Sequence, residues 1–469
     1  MVVRLIFFYC IEENYKFNYK FSNLRKEITF MKAIDLEVKR VCEILKDDEK
    51  LCELFKNCYP NTMDTTVKCL TANSDEKDTF VITGDIPAMW LRDSTAQVRH
   101  YLPIAKNDSE AADAIEGLIN RQFKCIAIDS YANAFNQEEN GMCWPLYAAK
   151  MFGEENGERD TTDFTTPWVW ERKYEIDSLC YPVQLAYLFW KETGRTAQFN
   201  EQYKKSTEII IEHFIREQDH SKSNYRFIRE NCPPTDTLIN DGKGAPVAVT
   251  GMTWSGFRPS DDACTFGYLI PSEMFAVVTL GYSAEIMRKV YHDEALAIKA
   301  EKLASEIDEG IKKYGIVDHP KFGKIYAYET DGNGNYVLMD DANVPSLLSI
   351  PYLGYCSVDD EIYKNTRAFV LSSENPYYYS GKAAKGIGSP HTPKDYIWHI
   401  ALSMQGLTSN DKEECEELLE LLKSTDAGKG FMHEGFNKDD PEKFTRPWFA
   451  WSNSLFSEFV LKCLDDKIL

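Results

Sequence analysis

Long apolar runs are missing from this chain. No stretch of its 469 residues reaches the roughly 18–20 consecutive apolar residues that a membrane-spanning helix needs, so no membrane role is expected. Linker composition is missing as well. Between Asp35 and Leu469 there is no Pro/Ser-rich run, no low-complexity tract and no abrupt change in composition. A hydrophobic content of 43% supports a large core, so residues 31–469 are expected to form a single domain. Basic charge is scarce, with 53 Lys and Arg against 74 Asp and Glu and a formal charge of −21. Such a surface repels phosphate backbones and anionic membranes, and nucleic acid is not an expected partner.

Recognisable metal and nucleophile patterns are also lacking. The thirteen cysteines are scattered singly, without a C-x-x-C. Cys180, Cys415 and Cys463 fall in apolar helical runs, where cysteine behaves as a small hydrophobe. That usage points to a reduced, intracellular protein, and a cytoplasmic location is expected. The histidines at positions 100, 213, 220, 292, 319, 391, 399 and 433 form neither H-x-x-x-H nor H-E-x-x-H, so no metal or other cofactor is expected. There is no G-x-S-x-G nucleophile motif. The stretch Gly381-Lys-Ala-Ala-Lys-Gly-Ile-Gly388 comes nearest to a phosphate cradle and is not a P-loop. The start, Val2 to Cys10, is apolar but lacks a small-residue cleavage site, and its basic charge lies on the wrong side for a signal peptide. Met31 precedes a clean amphipathic segment. Residues 1–30 are therefore expected to be an extension outside the fold.

What is present is helical periodicity. Ile176, Leu179, Cys180, Val183 and Tyr187 recur at helical spacing and Gly194 closes the segment. Tyr203, Thr207, Ile210 and Phe214 mark a second helix; Leu296, Leu303, Ile307 and Ile311 a third; Cys415, Leu418, Leu419 and Leu422 another. Further helices are expected over Ala33–Phe55, Thr95–Ala105, Ala111–Ala127, Pro271–Val290, Ser346–Tyr355, Glu361–Leu371, Lys394–Leu407 and Trp448–Leu461. Strand signals are limited to short pieces such as Thr79–Thr83 and Lys324–Tyr328. About a dozen helices joined by unusual loops suggest an all-α closed toroid of helical hairpins.

The loops that lead into these helices carry the chemistry-bearing residues. The stretch Gly251 to Pro271 places Trp254, Phe257, Arg258, Asp261 and Asp262 ahead of a helix, and loops so equipped are usually binding or catalytic surfaces. Gly84-Asp-Ile-Pro-Ala-Met-Trp-Leu-Arg-Asp-Ser94 offers Asp85, Trp90, Arg92 and Asp93, with Asp93 or Ser94 also readable as an N-cap. Thr165 to Asp177 brings Trp168 and Trp170 as cleft-wall candidates, while Glu175 and Asp177 read as helix-face or capping acids. Ser389-Pro-His391 supplies a histidine, with Trp398 following. Met432-His-Glu-Gly-Phe436 and Phe444-Thr-Arg-Pro-Trp-Phe-Ala-Trp451 add Glu434 and Arg446. Acids, arginines and tryptophans together suit sugar hydrolysis. Two carboxyls flank the glycosidic bond, aromatic faces pack on sugar C–H surfaces, and charged groups bind the hydroxyls.

Gly84 to Ser94, Gly256-Phe-Arg-Pro-Ser-Asp-Asp262, Gly388-Ser-Pro-His-Thr392 and His433-Glu-Gly-Phe436 together resemble glycoside hydrolase family 125, the exo-acting α-1,6-mannosidases. The likeness runs from about Met31 to the C-terminus. It implies an (α/α)6 barrel, no metal, inversion of configuration and removal of terminal α-1,6-linked mannose from a mannose-containing glycan. Carried over to this chain, the general acid falls on Asp261 and the general base on Glu434. Trp90, Arg92, Asp93, His391, Arg446 and Trp398 are then the expected sugar-binding residues. Spacing alone leaves Asp261 and Asp262 open as the acid, and Asp262 also reads as a helix cap. Asp261 would be kept protonated by its neighbour Asp262 and partial burial. The other readings are an inverting exo-glycosidase for a different α-linked sugar, a glycan-binding toroid without activity, and a toroid transferase, which would normally bring a zinc site.

Overall fold

The computed structural model describes residues 30–70, 76–151, 162 and 165–469. All but the last residue of the expected extension lies outside them. The helices that build the scaffold are α1 (Phe30–Ile44), α2 (Glu49–Cys58), α3 (Leu91–Arg99), α4 (Ser109–Ile128), α5 (Ile176–Thr193), α6 (Glu201–Glu217), α7 (Ile270–Lys289), α8 (Glu294–Tyr314), α9 (Ile350–Leu353), α10 (Glu361–Val370), α11 (His399–Leu407), α12 (Lys412–Ser424) and α13 (Ala450–Asp465).

Two kinds of helix alternate. α3, α5, α7, α11 and α13 are buried on almost every side of their first turns, which places them inside. α12 buries only Cys415, Leu418, Leu419 and Leu422 and presents lysines and glutamates on its other side; α6, α8 and α10 follow the same pattern. The inner helices form a ring. α3 packs on α5, α5 on α7 and α7 on the short α9, while α11 packs on α13 and α13 returns to α3. Tyr352 of α9 donates to Glu458 of α13 at 2.9 Å. The outer helix α4 lies on α5, α8 on α7, and α12 on α11, with α2 between α12 and α13. Six inner helices (α3, α5, α7, α9, α11, α13) and six outer ones (α2, α4, α6, α8, α10, α12) make the expected (α/α)6 barrel among the described residues.

Several boundaries differ from expectation for identifiable reasons. Ala33–Phe55 is two helices, because Asp48 turns the chain and caps α2 by accepting from the Leu51 amide at 2.9 Å. Thr95–Ala105 breaks after Arg99, and Pro103 starts a new short helix, Leu102–Ala105. Proline fits a first turn but not a helix interior. Ser346–Tyr355 shortens to α9, which Gly354 ends at φ +96°. Trp448–Leu461 is displaced by two residues at its start, to Ala450. Gly194 closes α5 in the left-handed conformation, φ +73°, as the sequence suggests.

The first part of Lys394–Leu407 is a strand, and this matters for the site. Nine short strands lie at the loop end of the barrel: β1 (Met89–Trp90), β2 (Ala134–Phe135), β3 (Val169–Glu171), β4 (Tyr268–Leu269), β5 (Glu329–Thr330), β6 (Tyr336–Val337), β7 (Tyr396–Trp398), β8 (Gly435–Asn437) and β9 (Asp440–Phe444). They pair antiparallel as three sheets in the orders β1-β2-β3, β6-β5-β4 and β7-β8-β9. β1 runs straight into α3, β4 into α7 and β7 into α11. Each sheet therefore fixes the first turn of an inner helix against another loop.

Chain closure depends on Asn453 in α13, which is fully buried. Its carbonyl oxygen accepts from the Met432 amide at 2.9 Å and its amide donates to Asn61 at 3.1 Å. Asn453→Ala should leave both groups buried without partners, at about 1–3 kcal/mol each. A fall of about 2–4 kcal/mol in unfolding free energy, with an unchanged denaturant slope, is expected; a change under about 0.5 kcal/mol would contradict the closure role.

Candidate active site

Arg92 and Asp93 belong to the first turn of α3, immediately after β1. Asp93 is thus inside the helix and does not cap it; Trp90 holds the N-cap position without a side-chain cap. The Arg92 side chain is buried. One guanidinium nitrogen donates to Glu175 Oε2 at 2.6 Å and to Asp177 Oδ2 at 3.1 Å, and the other to Asp261 Oδ1 at 3.3 Å. Its Nε lies 3.6 Å from Asp93 Oδ2. Asp177 stands in the first turn of α5, on the helix as expected, and Glu175 holds its N-cap position without capping it; both are buried against this guanidinium. Asn133, just before β2, reaches Asp261 Oδ1 at 3.2 Å and Glu175 Oε1 at 3.4 Å.

Asp261 sits in a tight turn with φ +65°, a left-handed conformation that aspartate tolerates better than most residues. The Asp261 amide donates to the Arg258 carbonyl at 2.9 Å, and the Arg258 amide to the Asp262 carbonyl at 2.8 Å. Lys173 donates to the Asp261 carbonyl at 2.8 Å and is itself paired with Asp236. Arg258 turns away from the cleft to Glu329 at 2.6 Å and ties the turn to β5. The neighbouring acids differ. Asp261 leaves 28% of its side chain exposed, while Asp262 is buried and lies 3.4 Å from His391 Nδ1. Asp262 caps no helix; α7 begins at Ile270.

Glu434 is the residue preceding β8, and the β7–β8 pairing, with Gly435 opposite Trp398, sets it beside the start of α11. Arg446 Nε stands 3.2 Å from Glu434 Oε1, while its Nη1 donates to Asp85 at 2.5 Å. Trp398 is buried and donates from Nε1 to Thr392 at 2.8 Å. Trp90, Arg92, Asp93, Asp261, His391, Trp398, Glu434 and Arg446 all line one chamber. A second chamber of about 210 Å3, lined also by Trp144, Lys173 and Asp236, adjoins this one of about 60 Å3 and shares Trp90, Asp261, His391, Glu434 and Arg446 with it. Buried polar atoms at the cleft without a hydrogen-bond partner among the described residues include Trp90 Nε1, Ser260 Oγ and Asp262 Oδ2. Sugar hydroxyls are suitable partners for them.

The other two tryptophans expected in the wall stand elsewhere. Trp168 is half-buried outside the cleft, donates to Glu139 at 2.6 Å and lies under Lys124. Trp170 is fully buried in a cluster with Ala88, Trp90 and Ala134, and backs Trp90 rather than facing a ligand. Residues that the sequence reading passed over are Asn133, Lys173 and Trp144. Trp144 starts a short helix, Trp144–Met151, whose composition carries no charge or spacing signal.

Electrostatics in the cleft are dominated by burial. It pushes Asp93 and Asp177 up to about 6 in spite of Arg92. Burial also drives Glu175 well above the usual carboxylate range, with Asp261 and Asp177 adding to the shift against Arg92. Asp261 moves the other way. Burial would raise it, but Arg92, Lys173 and a hydrogen bond from Glu175 lower it to about 2. The expectation that Asp262 and burial keep Asp261 protonated at rest is thereby corrected, since Arg92 and Lys173 outweigh both. Burial opposes the charged form of His391, yet Asp262, with Glu434 and Asp261, raises it to about 9.

A cleft of convergent acids, arginines and tryptophans at the loop end of an (α/α)6 barrel defines a glycoside hydrolase. Comparison with known proteins narrows this. Residues 48–461 match the family described as metal-independent α-mannosidase, GH125, and the chain belongs to that family. It is similar to the meiotically up-regulated gene 157 protein of Schizosaccharomyces pombe, 43% identical over 93% of this chain and 86% of that protein. A metal-independent α-mannosidase of Streptococcus pneumoniae, solved as a non-productive complex with α-1,6-mannobiose, is 50% identical. It superposes with a TM-score of 0.86, covering 92% of this chain and 98% of that one. A bacterial glucoamylase complexed with acarbose shares the fold alone, at 13% identity and a TM-score of 0.52 over 81% of this chain and 49% of its own.

The Asp93 shift makes stability depend on pH. An unfolded aspartate titrates near 3.9 and folded Asp93 at about 6. Between these values the folded state holds more protons, so stability falls as pH rises from about 4 to about 6. Asp177 acts with the same sign; Asp261, lowered, contributes stability that is lost only as pH falls below about 4 toward about 2. Asp93→Asn should lose less melting temperature than wild type between pH 4 and 6.5. An identical loss in both proteins would contradict the shift.

Proposed function

We propose that this protein is an exo-acting, inverting α-1,6-mannosidase that removes terminal α-1,6-linked mannose from glycans, with Asp261 as general acid and Glu434 as general base. The observation that carries this reading is the meeting of the two carboxyls in one narrow chamber. Asp261 is the partly open member of the Arg92 cluster, and Glu434 is held by Arg446. In an inverting hydrolysis the acid protonates the leaving oxygen while the base takes a proton from water on the opposite face of the ring. Trp90, Trp398, Asp93, His391 and Arg446 then contact the terminal sugar. The α-1,6 linkage is supported by the half-identical Streptococcus pneumoniae enzyme held with α-1,6-mannobiose.

The choice of Asp261 over Asp262 rests on access and partners. Asp262 is buried and engaged with His391, which suits orientation of that ring more than proton delivery to a substrate. We place the enzyme in the cytoplasm, with mannose-containing oligosaccharides as substrates. Buried thiols such as Cys58, Cys125, Cys180 and Cys415 fit a reducing compartment.

Hydrolysis of α-1,6-mannobiose, with EDTA present, should proceed in wild type at the rate seen without chelator. Asp261→Ala and Glu434→Ala should each lose about 100-fold or more in kcat, the usual worth of a general acid or base. Near wild-type activity in either variant would remove that residue from its role. If wild type releases no mannose from mannobiose, another α-linked sugar becomes the substrate to seek.

A further inference from the structure

The cleft holds more carboxyls than a two-acid hydrolysis uses, and Glu175 is the one built to handle a proton. It stands at the N-cap position of α5 but caps nothing. Its Oε2 accepts from Arg92 at 2.6 Å and from Ser178 Oγ at 2.9 Å. Its Oε1 faces the Asn133 amide that also reaches Asp261. The Glu175 and Asp261 carboxyls share two donors, the Arg92 guanidinium and the Asn133 amide. Two carboxyls gathered on the same donors favour a proton on one of them, because two neighbouring anions repel. Glu175 is closed off, with a fully buried side chain, whereas Asp261 is 28% open to the cleft. The pair therefore has one inner and one outer member.

We propose that Glu175 is the proton reservoir of this site, a positioning residue that holds the proton Asp261 delivers to the leaving oxygen; this rests on the assignment of Asp261 as general acid. When a sugar fills the cleft, the proton passes from Glu175 to Asp261, and Glu175 becomes the anion held by Arg92. Asp261 then gives the proton to the leaving oxygen as the C1–O bond breaks with its electron pair going to oxygen. The attacking water bonds to C1 and gives a proton to Glu434. Afterwards Glu434 releases its proton to solvent, and the pair regains one from solvent through Asp261. The cycle consumes one water per bond. Arg92 and Asp93 from α3, Asp177 from α5, Lys173, His391 and Arg446 are the charged groups that face the pair. Arg92 lies 2.6 Å from Glu175 and 3.3 Å from Asp261, within reach of both, so it can hold whichever member is the anion.

The test compares two substrates that differ in their need for an acid. α-1,6-Mannobiose has an alkoxide leaving group that must be protonated; α-mannosyl fluoride has a leaving group that needs little help. Glu175→Gln keeps the side-chain shape but has no carboxyl proton to share. It should lower kcat/KM on mannobiose by about 100-fold or more and on the fluoride by less than about 5-fold, as loss of general-acid assistance does. The basic limb of its pH profile on mannobiose should move to lower pH. Glu175→Asp, which keeps a carboxyl, should recover at least about a tenth of wild-type activity on mannobiose. Equal losses on both substrates, or no loss on mannobiose, would overturn the proposal. Should Glu175→Gln fail to fold, the same comparison on Glu175→Asp decides, equal losses again being fatal. Wild type inactive on mannobiose would instead sink the assignment beneath it.

Discussion

A single buried guanidinium organises the cleft. Arg92 is surrounded by Asp93, Glu175, Asp177 and Asp261, drawn from three separate junctions of the barrel. Arg92 alone does not balance four carboxyls, and burial favours protonation of the most enclosed of them. The fully enclosed carboxyls rise while Asp261, nearest the opening and also beside Lys173, falls. Buried charges of this kind seldom add net stability, although removing one partner typically costs about 3–5 kcal/mol. The arrangement is better understood as a proton-bearing device than as a structural clamp.

The scaffold makes that device rigid. A barrel of helices ends in loops, and loops alone would hold catalytic groups poorly. Three small antiparallel sheets tie those loops to one another and to the first turns of inner helices. β1-β2-β3 fixes Trp90, Arg92, Asn133 and Glu175 relative to one another. β7-β8-β9 does the same for His391, Trp398 and Glu434, and β5 anchors the Asp261 turn through Glu329 and Arg258. The two catalytic candidates are thus anchored by different sheets, Asp261 through Arg258 and Glu329 and Glu434 at the start of β8.

Most of the helices were legible in the sequence because each repeats an apolar stripe over two or more turns, as α12 does through Cys415, Leu418, Leu419 and Leu422. The small sheets were not, since strands of two or three residues, as all but β9 are, are too short to show alternation. The eight residues singled out for the site do share one chamber, because motifs dense in Trp, Arg and acids are costly anywhere else. The burial of Glu175 and Asp177 against a cation was missed for a physical reason. An acid before or within a first helical turn has an ordinary local use, and only the fold reveals Arg92 waiting beside it. Asn133 left no mark, being an uncharged residue in an unremarkable loop. Trp170 shows the opposite error, as a tryptophan beside a functional motif can equally back the cleft.

The measurement that tests the central claim most directly is proton NMR of the first mannose released from α-1,6-mannobiose, recorded before mutarotation. Direct attack by a water activated at Glu434, with Asp261 donating to the leaving oxygen, predicts β-mannose as the first product. First-formed α-mannose would mean a covalent intermediate and net retention, and would contradict the assigned roles of both carboxyls.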